Sequence, residues 1–436
     1  MKKLIATVLG SVACLLMLSI QPVCAAEPNA LRIGVAKVDI TPTKLTNLDP
    51  MGYGSFAGVH DPLFARALII DNGSNTVALV ALDLIETDDT LQVRERIQKE
   101  LGIPVNHIII TASHSHSAPK IGKPTMGALT KHSVPEVDVY TNSVNDKIVA
   151  ALKQATASLQ PARLGIGTGS ADVNVSRDLF TPQGWKAGFS PNGPSDKTVW
   201  VLKFETPSGE PIAVLFNYAV HPVVTIGDKF VSGDLAGAAE HFVEQHYSDK
   251  VVALWTLGPA GDQIPRFSGE PARNNERSIS SFDAMNAQAF MLGAEVVRVA
   301  NLIQPTISAA KVAADERVFL CPLREGIKQL GTFQTGGMTK DQVTSVPIRL
   351  GLIMIDQIAL ATVSGEVVTN IYSHLKKASP LTNMIMVTLA NDRTGYFVDD
   401  ATYDTSNFEV MATPAARGCA ESGIVNGLME LIRAQF

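Results

Sequence analysis

One arrangement recurs three times along this chain: two apolar runs joined by a turn, then a helical stretch, then another apolar run. In the first copy, Phe64–Asp71 and Thr76–Leu84 flank Asn72-Gly73-Ser74-Asn75. An Asn-Gly between such runs signals a hairpin, because glycine and asparagine reach the positive φ a tight turn needs. Asp88–Leu101 follows with helical spacing, an aspartate to cap it and Gly102 and Pro104 to stop it. Ile108–Thr111 then reads as a buried strand rich in β-branched residues. The second copy runs Thr198–Glu205 and Ile212–Tyr218 around Pro207-Ser208-Gly209, then helix Leu235–Tyr247 and strand Val251–Leu257. The third runs Ile348–Ile355 and Gln357–Val363, then helix Glu366–Lys377 and strand Met384–Leu389. Hairpins mixed with helical crossovers predict an α/β fold of mixed β-sheets with flanking helices.

The recurrence has a chemical corollary. A reactive side chain follows the end of each hairpin: Asp83, His221 and Glu366. More follow each later strand: His114 and His116, then Asp262, then Asn391 and Tyr396. If the three units pack side by side, these ends gather at one edge, where sheet-based enzymes build their sites. The densest stretch is His107–Pro119, reading HIIITASHSHSAP. If its strand persists, His114 and His116 face the same side, as two ligands of one metal would. The same spacing also fits two surface histidines in a loop, so further ligands have to come from elsewhere.

Leu31–Ile40 reads as an additional strand and Val137–Leu159 as a long helix. Leu179–Lys197, Phe267–Arg277 and Arg324–Ser345 read as polar loops, and Pro119–Val134 as a Gly/Pro-rich border to a pocket. Gly165-Ile166-Gly167-Thr168-Gly169 opens no helix, so it is not read as a nucleotide loop. No Pro- or Ser-rich linker divides the chain, which predicts one domain over residues 26–436.

The first 25 residues read as a signal peptide. Lys2 and Lys3 precede the apolar run Leu4–Ile20, and Val23-Cys24-Ala25-Ala26 supplies small residues for cleavage. The expected location is therefore exported, either periplasmic or secreted. No later run is long enough to span a bilayer. Cys321 and Cys419 remain after signal removal, and an oxidising compartment permits a disulfide between them. The net charge of −6 speaks against a nucleic-acid partner.

Several short motifs, in a shared order, resemble the neutral/alkaline non-lysosomal ceramidase family. Ser113-His114-Ser115-His116-Ser117-Ala118-Pro119 resembles its Thr-His-Thr-His-Ser-Gly-Pro motif. Gly34–Thr41, Met51-Gly52-Tyr53, Gly58-Val59-His60, Ala65-Arg66-Ala67 and Asn174-Val175-Ser176-Arg177 follow in family order. His221-Pro222, Ser232-Gly233-Asp234, Gly365-Glu366, Asn391-Asp392 and Thr394-Gly395-Tyr396 complete the series. The resemblance implies a zinc-dependent amide hydrolase, with Zn2+ held by His114, His221, Glu366 and Tyr396. It also implies that His116 and Arg177 act on the scissile group of a small or lipid-like N-acyl substrate. Two histidines and a glutamate are an established catalytic zinc set. Asp83 and Asp262 are candidate partners for the ligand histidines.

Three departures qualify the resemblance. Ile264 stands in the place of the family's serine, within Gly261-Asp262-Gln263-Ile264-Pro265, and Phe408 replaces a second tyrosine. The chain stops at Phe436, which predicts that the family's C-terminal immunoglobulin-like domain is missing. With no serine, attack by metal-activated water is expected. The alternative reading is a catalytically impaired metal- or ligand-binding protein on the same scaffold.

Overall fold

A computed structural model describes residues 28–49, 55–122, 135–268, 280–326 and 344–436. The signal-peptide segment, Met51-Gly52-Tyr53 and most of the Pro119–Val134, Phe267–Arg277 and Arg324–Ser345 stretches lie outside the described residues.

All three units form. In the first, Phe64–Asp71 and Thr76–Leu82 pair antiparallel, helix Leu91–Leu101 crosses over, and Ile108–Ala112 returns parallel to Thr76–Leu82. In the second, Thr198–Glu205 and Pro211–Tyr218 form the hairpin, Asp234–His246 the helix, and Val252–Leu257 the parallel strand. In the third, the elements are Ser345–Ile355, Ile358–Val363, Thr369–Ala378 and Asn383–Val387. Each hairpin also gains an outer antiparallel strand: Arg32–Asp39, Arg163–Ser170 and Val312–Pro322 respectively. The same strand order thus appears in three sheets. A turn suffices for the antiparallel steps, while the parallel step needs a helix-length crossover.

The strands are apolar on both faces because both faces are covered. Inner faces of all three sheets meet in one core, with Leu68 and Leu79 of the first, Leu202 and Leu215 of the second, and Ile353 and Leu360 of the third. Each outer face has its own helix layer. Ile148 and Leu152 of helix Pro135–Ala157 cover the first sheet, and Leu235 and Leu292 cover the second. Ile371 and Leu428 cover the third. The sheets are also tied at their strand ends. Asn391 receives the Ile110 N–H at 2.8 Å and donates to Ile108 O at 2.9 Å, joining the third unit to the first. Thr388 Oγ1 donates to Gly258 O at 2.8 Å, joining the third to the second.

Four local expectations change. The first helix begins at Leu91 and not at Asp88, and its N-cap Thr90 makes no side-chain cap bond. Glu366 lies in the short strand Glu366–Val367, three residues before helix Thr369–Ala378, because it pairs with Tyr396–Phe397. Residues 179–197 are not simply a loop. Asn174–Thr181 and Gly184–Ser190 form a hairpin, hidden in the sequence because its strands are mixed in polarity and half exposed. The strand before the histidine pair ends at Ala112, and His114 adopts φ 72°. The Gly165–Gly169 signal is a packing feature. A Cβ at Gly165 would lie 2.3 Å from Ile303, and one at Gly169 would lie 2.2 Å from Glu295, on the helix Ser281–Leu302 side of the strand.

Candidate metal centre

The ends of the three units converge on one cluster. His114 and His116 come from the turn after Ile108–Ala112, and His221 from the turn after Pro211–Tyr218. Glu366 and Tyr396 come from the paired short strands of the third unit. The alternation that would have put both histidines on one strand face does not operate, since the strand ends first. Instead the left-handed turn at His114 aims its ring beside that of His116, with centroids 4.6 Å apart. The ring of His221 lies 4.7 Å from that of His114. One nitrogen from each of the three histidines lies within 4.8 Å of the others, a spacing that suits a metal.

Hydrogen bonding distinguishes the histidines. His114 Nδ1 meets Ile85 O at 2.5 Å, and His221 Nδ1 meets Gln263 O at 2.9 Å. A carbonyl only accepts, so each Nδ1 carries the proton and each Nε2 turns its lone pair inward. Both inward atoms face Glu366 Oε2, at 3.3 Å from His114 and 2.9 Å from His221. That oxygen is buried and has no hydrogen-bond donor among the described residues. Three lone-pair atoms at this spacing need a positive charge between them. Burial and the Arg177 charge lower the His221 pKa, so a proton on its ring is a poor candidate for that charge. The donor set therefore fits a cation.

His116 is arranged differently. Its Nδ1 has no partner among the described residues, and its Nε2 lies 3.3 Å from His114 Nε2. Burial and the two neighbouring histidines push its pKa well below the ordinary value, leaving a neutral ring whose tautomer nothing fixes. Tyr396 Oη stands 3.4 Å from His221 Nε2. Burial and Glu366 push its hydroxyl pKa up, while Arg177 works against them.

Arg177 arrives on the hairpin that the sequence hid. The pairing shifts register between Ser176 and Asp178, and such a bulge re-aims the side chain within it. Arg177 Nη2 donates to Gly261 O at 2.6 Å, and Nε donates to Glu409. Its guanidinium stands 5.4 Å from the ring centre of Tyr396 and 4.9 Å from that of Phe408. Phe408 packs edge-on against Tyr396 at 5.4 Å. Ile264 sits in the short strand Gln263–Pro265, paired with Val175, and brings no hydroxyl.

Asp83 and Asp262 are not the histidines' partners. Asp83 pairs with Arg66 at 2.7 Å and accepts the Phe64 N–H at 2.8 Å. Asp262 accepts from Thr369 N at 2.9 Å and from Thr369 Oγ1 at 2.8 Å. Backbone carbonyls do the orienting that carboxylates were expected to do, and carbonyls leave no mark in a sequence. Glu409 was missed for a related reason. The only local signal is Asn407, which caps the short helix Phe408–Ala412 by accepting from Val410 N at 3.0 Å.

Comparison with known proteins places this chain. Residues 31–290 match the family model described as neutral/alkaline non-lysosomal ceramidase, N-terminal. The chain belongs to that family. It is 29% identical over 280 residues to the neutral ceramidase of Pseudomonas aeruginosa, covering 59% of this chain and 40% of that protein. It is 26% identical over 278 residues to neutral ceramidase A of Dictyostelium discoideum, covering 57% of this chain and 38% of that protein. The matches thus span less than half the length of these relatives. The crystal structure of the Pseudomonas aeruginosa neutral ceramidase superposes with a TM-score of 0.73 at 20% identity, over 93% of this chain and 74% of that one. The fold is therefore a neutral-ceramidase fold.

Proposed function

We propose that this protein is an exported, zinc-dependent hydrolase of an amide bond in a small or lipid-like N-acyl substrate. The observation that carries the reading is Glu366 Oε2, a buried oxygen without a donor, facing the inward nitrogens of His114 and His221. In this reading His114, His221, Glu366 and Tyr396 hold the metal. A zinc ion in such a set lowers the pKa of water to about 7 and polarises a carbonyl.

The chain's own residues supply the rest. Ile85 O and Gln263 O fix the ligand tautomers of His114 and His221. His116, with an unpartnered Nδ1, is the group free to move a proton between attacking water and leaving amine. Arg177, steadied by Glu409 and Gly261 O, orients the scissile carbonyl and meets the negative charge that grows on it. Ile264 offers no nucleophile, which supports direct attack by water over an acyl-enzyme. Family membership supports ceramide-like amides as the first substrates to try. The N-terminal pattern of Lys2, Lys3 and the apolar run supports export. No described helix is long and apolar enough to cross a membrane.

The test is hydrolysis of a panel of N-acyl amides, from short N-acyl amines to ceramide, by metal-loaded and chelator-treated protein. Turnover that disappears with the metal and returns with zinc supports the reading. A loaded protein that hydrolyses none of them turns the assignment toward a binding protein.

A further inference from the structure

Successive residues of a strand face opposite sides. The bulge between Ser176 and Asp178 breaks that alternation, so Arg177 and Asp178 both reach the short helix Phe408–Ala412. Arg177 Nε donates to Glu409, and the Asp178 carboxyl accepts from Asn407 Nδ2 at 2.7 Å. Asn407 caps that helix two residues before Glu409. The Asp178 carboxyl thereby comes within hydrogen-bond reach of the Glu409 carboxyl.

Glu409 is completely buried, and its Oε1 accepts from Arg177. Its Oε2 is buried with no donor among the described residues. Leaving a buried carboxylate oxygen without a donor is costly. Two ionised carboxylates side by side add repulsion to that cost. The acids around Asp178 are Glu409, Asp262 and Asp399, and the neighbouring base, Arg177, is already paired with Glu409 and Gly261 O. One proton on Asp178 removes both costs, since it gives Glu409 Oε2 a donor and cancels the repulsion. Burial and Glu409 accordingly push the Asp178 carboxyl up to about 8.

We propose that Asp178 is a positioning residue, which in its protonated form donates to Glu409 and so keeps Arg177 paired with a single carboxylate. While the proton is held, Glu409 has one fixed direction and its charge serves Arg177. Once the proton leaves, adjacent carboxylates repel, and Glu409 no longer holds the guanidinium beside Tyr396. The result is an alkaline limit on the work of Arg177. That catalytic half rests on the hydrolase reading, whereas the shared proton does not.

The test compares the parent with Asp178→Asn and Asp178→Ala. An asparagine amide keeps a donor for Glu409 and an acceptor for Asn407 but does not titrate. Infrared difference spectra of the full chain, from about pH 6.5 to about pH 9.5, should show the parent losing a protonated-carboxyl band that Asp178→Asn lacks. Chemical denaturation gives a second readout. The folded chain keeps a proton that an unfolded aspartate releases near pH 4, so this stabilisation is complete below about pH 4 and is lost as pH rises through 8. The parent's folding constant should fall relative to that of Asp178→Asn by up to about tenfold per pH unit between about pH 5 and 8, then level off. Neither measurement needs a substrate. With a substrate from the amide panel, the parent's turnover should drop above about pH 8, and Asp178→Asn should lack that step. Asp178→Ala, with no donor at any pH, should be slower by about tenfold or more while keeping its zinc. The absence of the band, with a stability ratio that does not change with pH, overturns the shared proton and leaves the hydrolase reading untouched. An alkaline drop of equal size in Asp178→Asn overturns the positioning role. If no protein turns over any amide, the hydrolase reading fails, and the spectra and denaturation still decide the proton.

Discussion

The Arg177 guanidinium and the Glu409 carboxylate form an ion pair in which Glu409 is completely buried and Arg177 is 13% exposed. The pair links the hairpin Asn174–Ser190 to the helix Phe408–Ala412, two segments more than two hundred residues apart in the chain. It also fixes which way Arg177 points beside Tyr396.

Removing one partner of a buried pair leaves an uncompensated charge and costs about 3–5 kcal/mol. Glu409→Ala should therefore destabilise the fold by that order. Glu409→Gln, which keeps an acceptor oxygen for Arg177, should fall between it and the parent. Chemical denaturation gives the order, and equal stability of all three proteins would count against the pair.

The metal assignment separates the two histidines of the His114–His116 turn. Protein purified without chelator should carry about one zinc per chain, as a single closed ligand set requires. His114→Ala and His221→Ala should lose it. His116→Ala and Arg177→Ala should keep it while turnover falls about a hundredfold, the usual cost of one oxyanion donor. Elemental analysis alongside rates decides this, and a metal lost from His116→Ala but kept by His114→Ala would reverse the roles.

Because Ile264 has no hydroxyl, no acyl adduct should accumulate on the protein. Rapid quench followed by intact-protein mass spectrometry, with a substrate found in the panel above, reads this directly. A stoichiometric adduct on any serine, threonine or cysteine would overturn attack by water.

Asp262 gives a pH signature. Burial pushes its carboxyl up to about 6, against the Thr369 donors. The folded chain thus keeps a proton that an unfolded aspartate releases near pH 4. The stabilisation is fully present below about pH 4 and is lost as pH rises through 6. Asp262→Asn removes that dependence. Its stability relative to the parent should improve by roughly 1–3 kcal/mol between pH 4 and pH 7.5. Denaturation at the two pH values checks it, and a constant difference would show that Asp262 titrates normally.

Cys321 and Cys419 are bridged across 98 residues, joining the outer strand of the third sheet to the start of helix Ala420–Arg433. Thiol counting on unreduced, denatured protein should find neither cysteine free. Reduction should cost about 2–5 kcal/mol, as loss of a native disulfide commonly does.

The three hairpin–helix–strand units are legible in the residues alone, because runs buried on both faces and turns such as Asn72-Gly73 write their periodicity into residue type. The sequence also marked His114, His116, His221, Glu366 and Tyr396, since reactive side chains at strand ends stand out against apolar runs, while Arg177 came only from the resemblance carried by Asn174-Val175-Ser176-Arg177. What these residues face depends on long-range packing. The strand Asn174–Thr181 mixes polar and apolar side chains because it is half exposed, so its pattern resembles a loop. Glu366 reads as a helix start until pairing with Tyr396 draws it into a strand. The partners of His114 and His221 are the carbonyls of Ile85 and Gln263, groups every residue carries and no sequence distinguishes. Asp83 and Asp262 looked equally suited to that role, and packing turned one toward Arg66 and the other toward Thr369. Residue type limits what a side chain can donate or accept, while its partner is set by contacts between segments far apart in the chain.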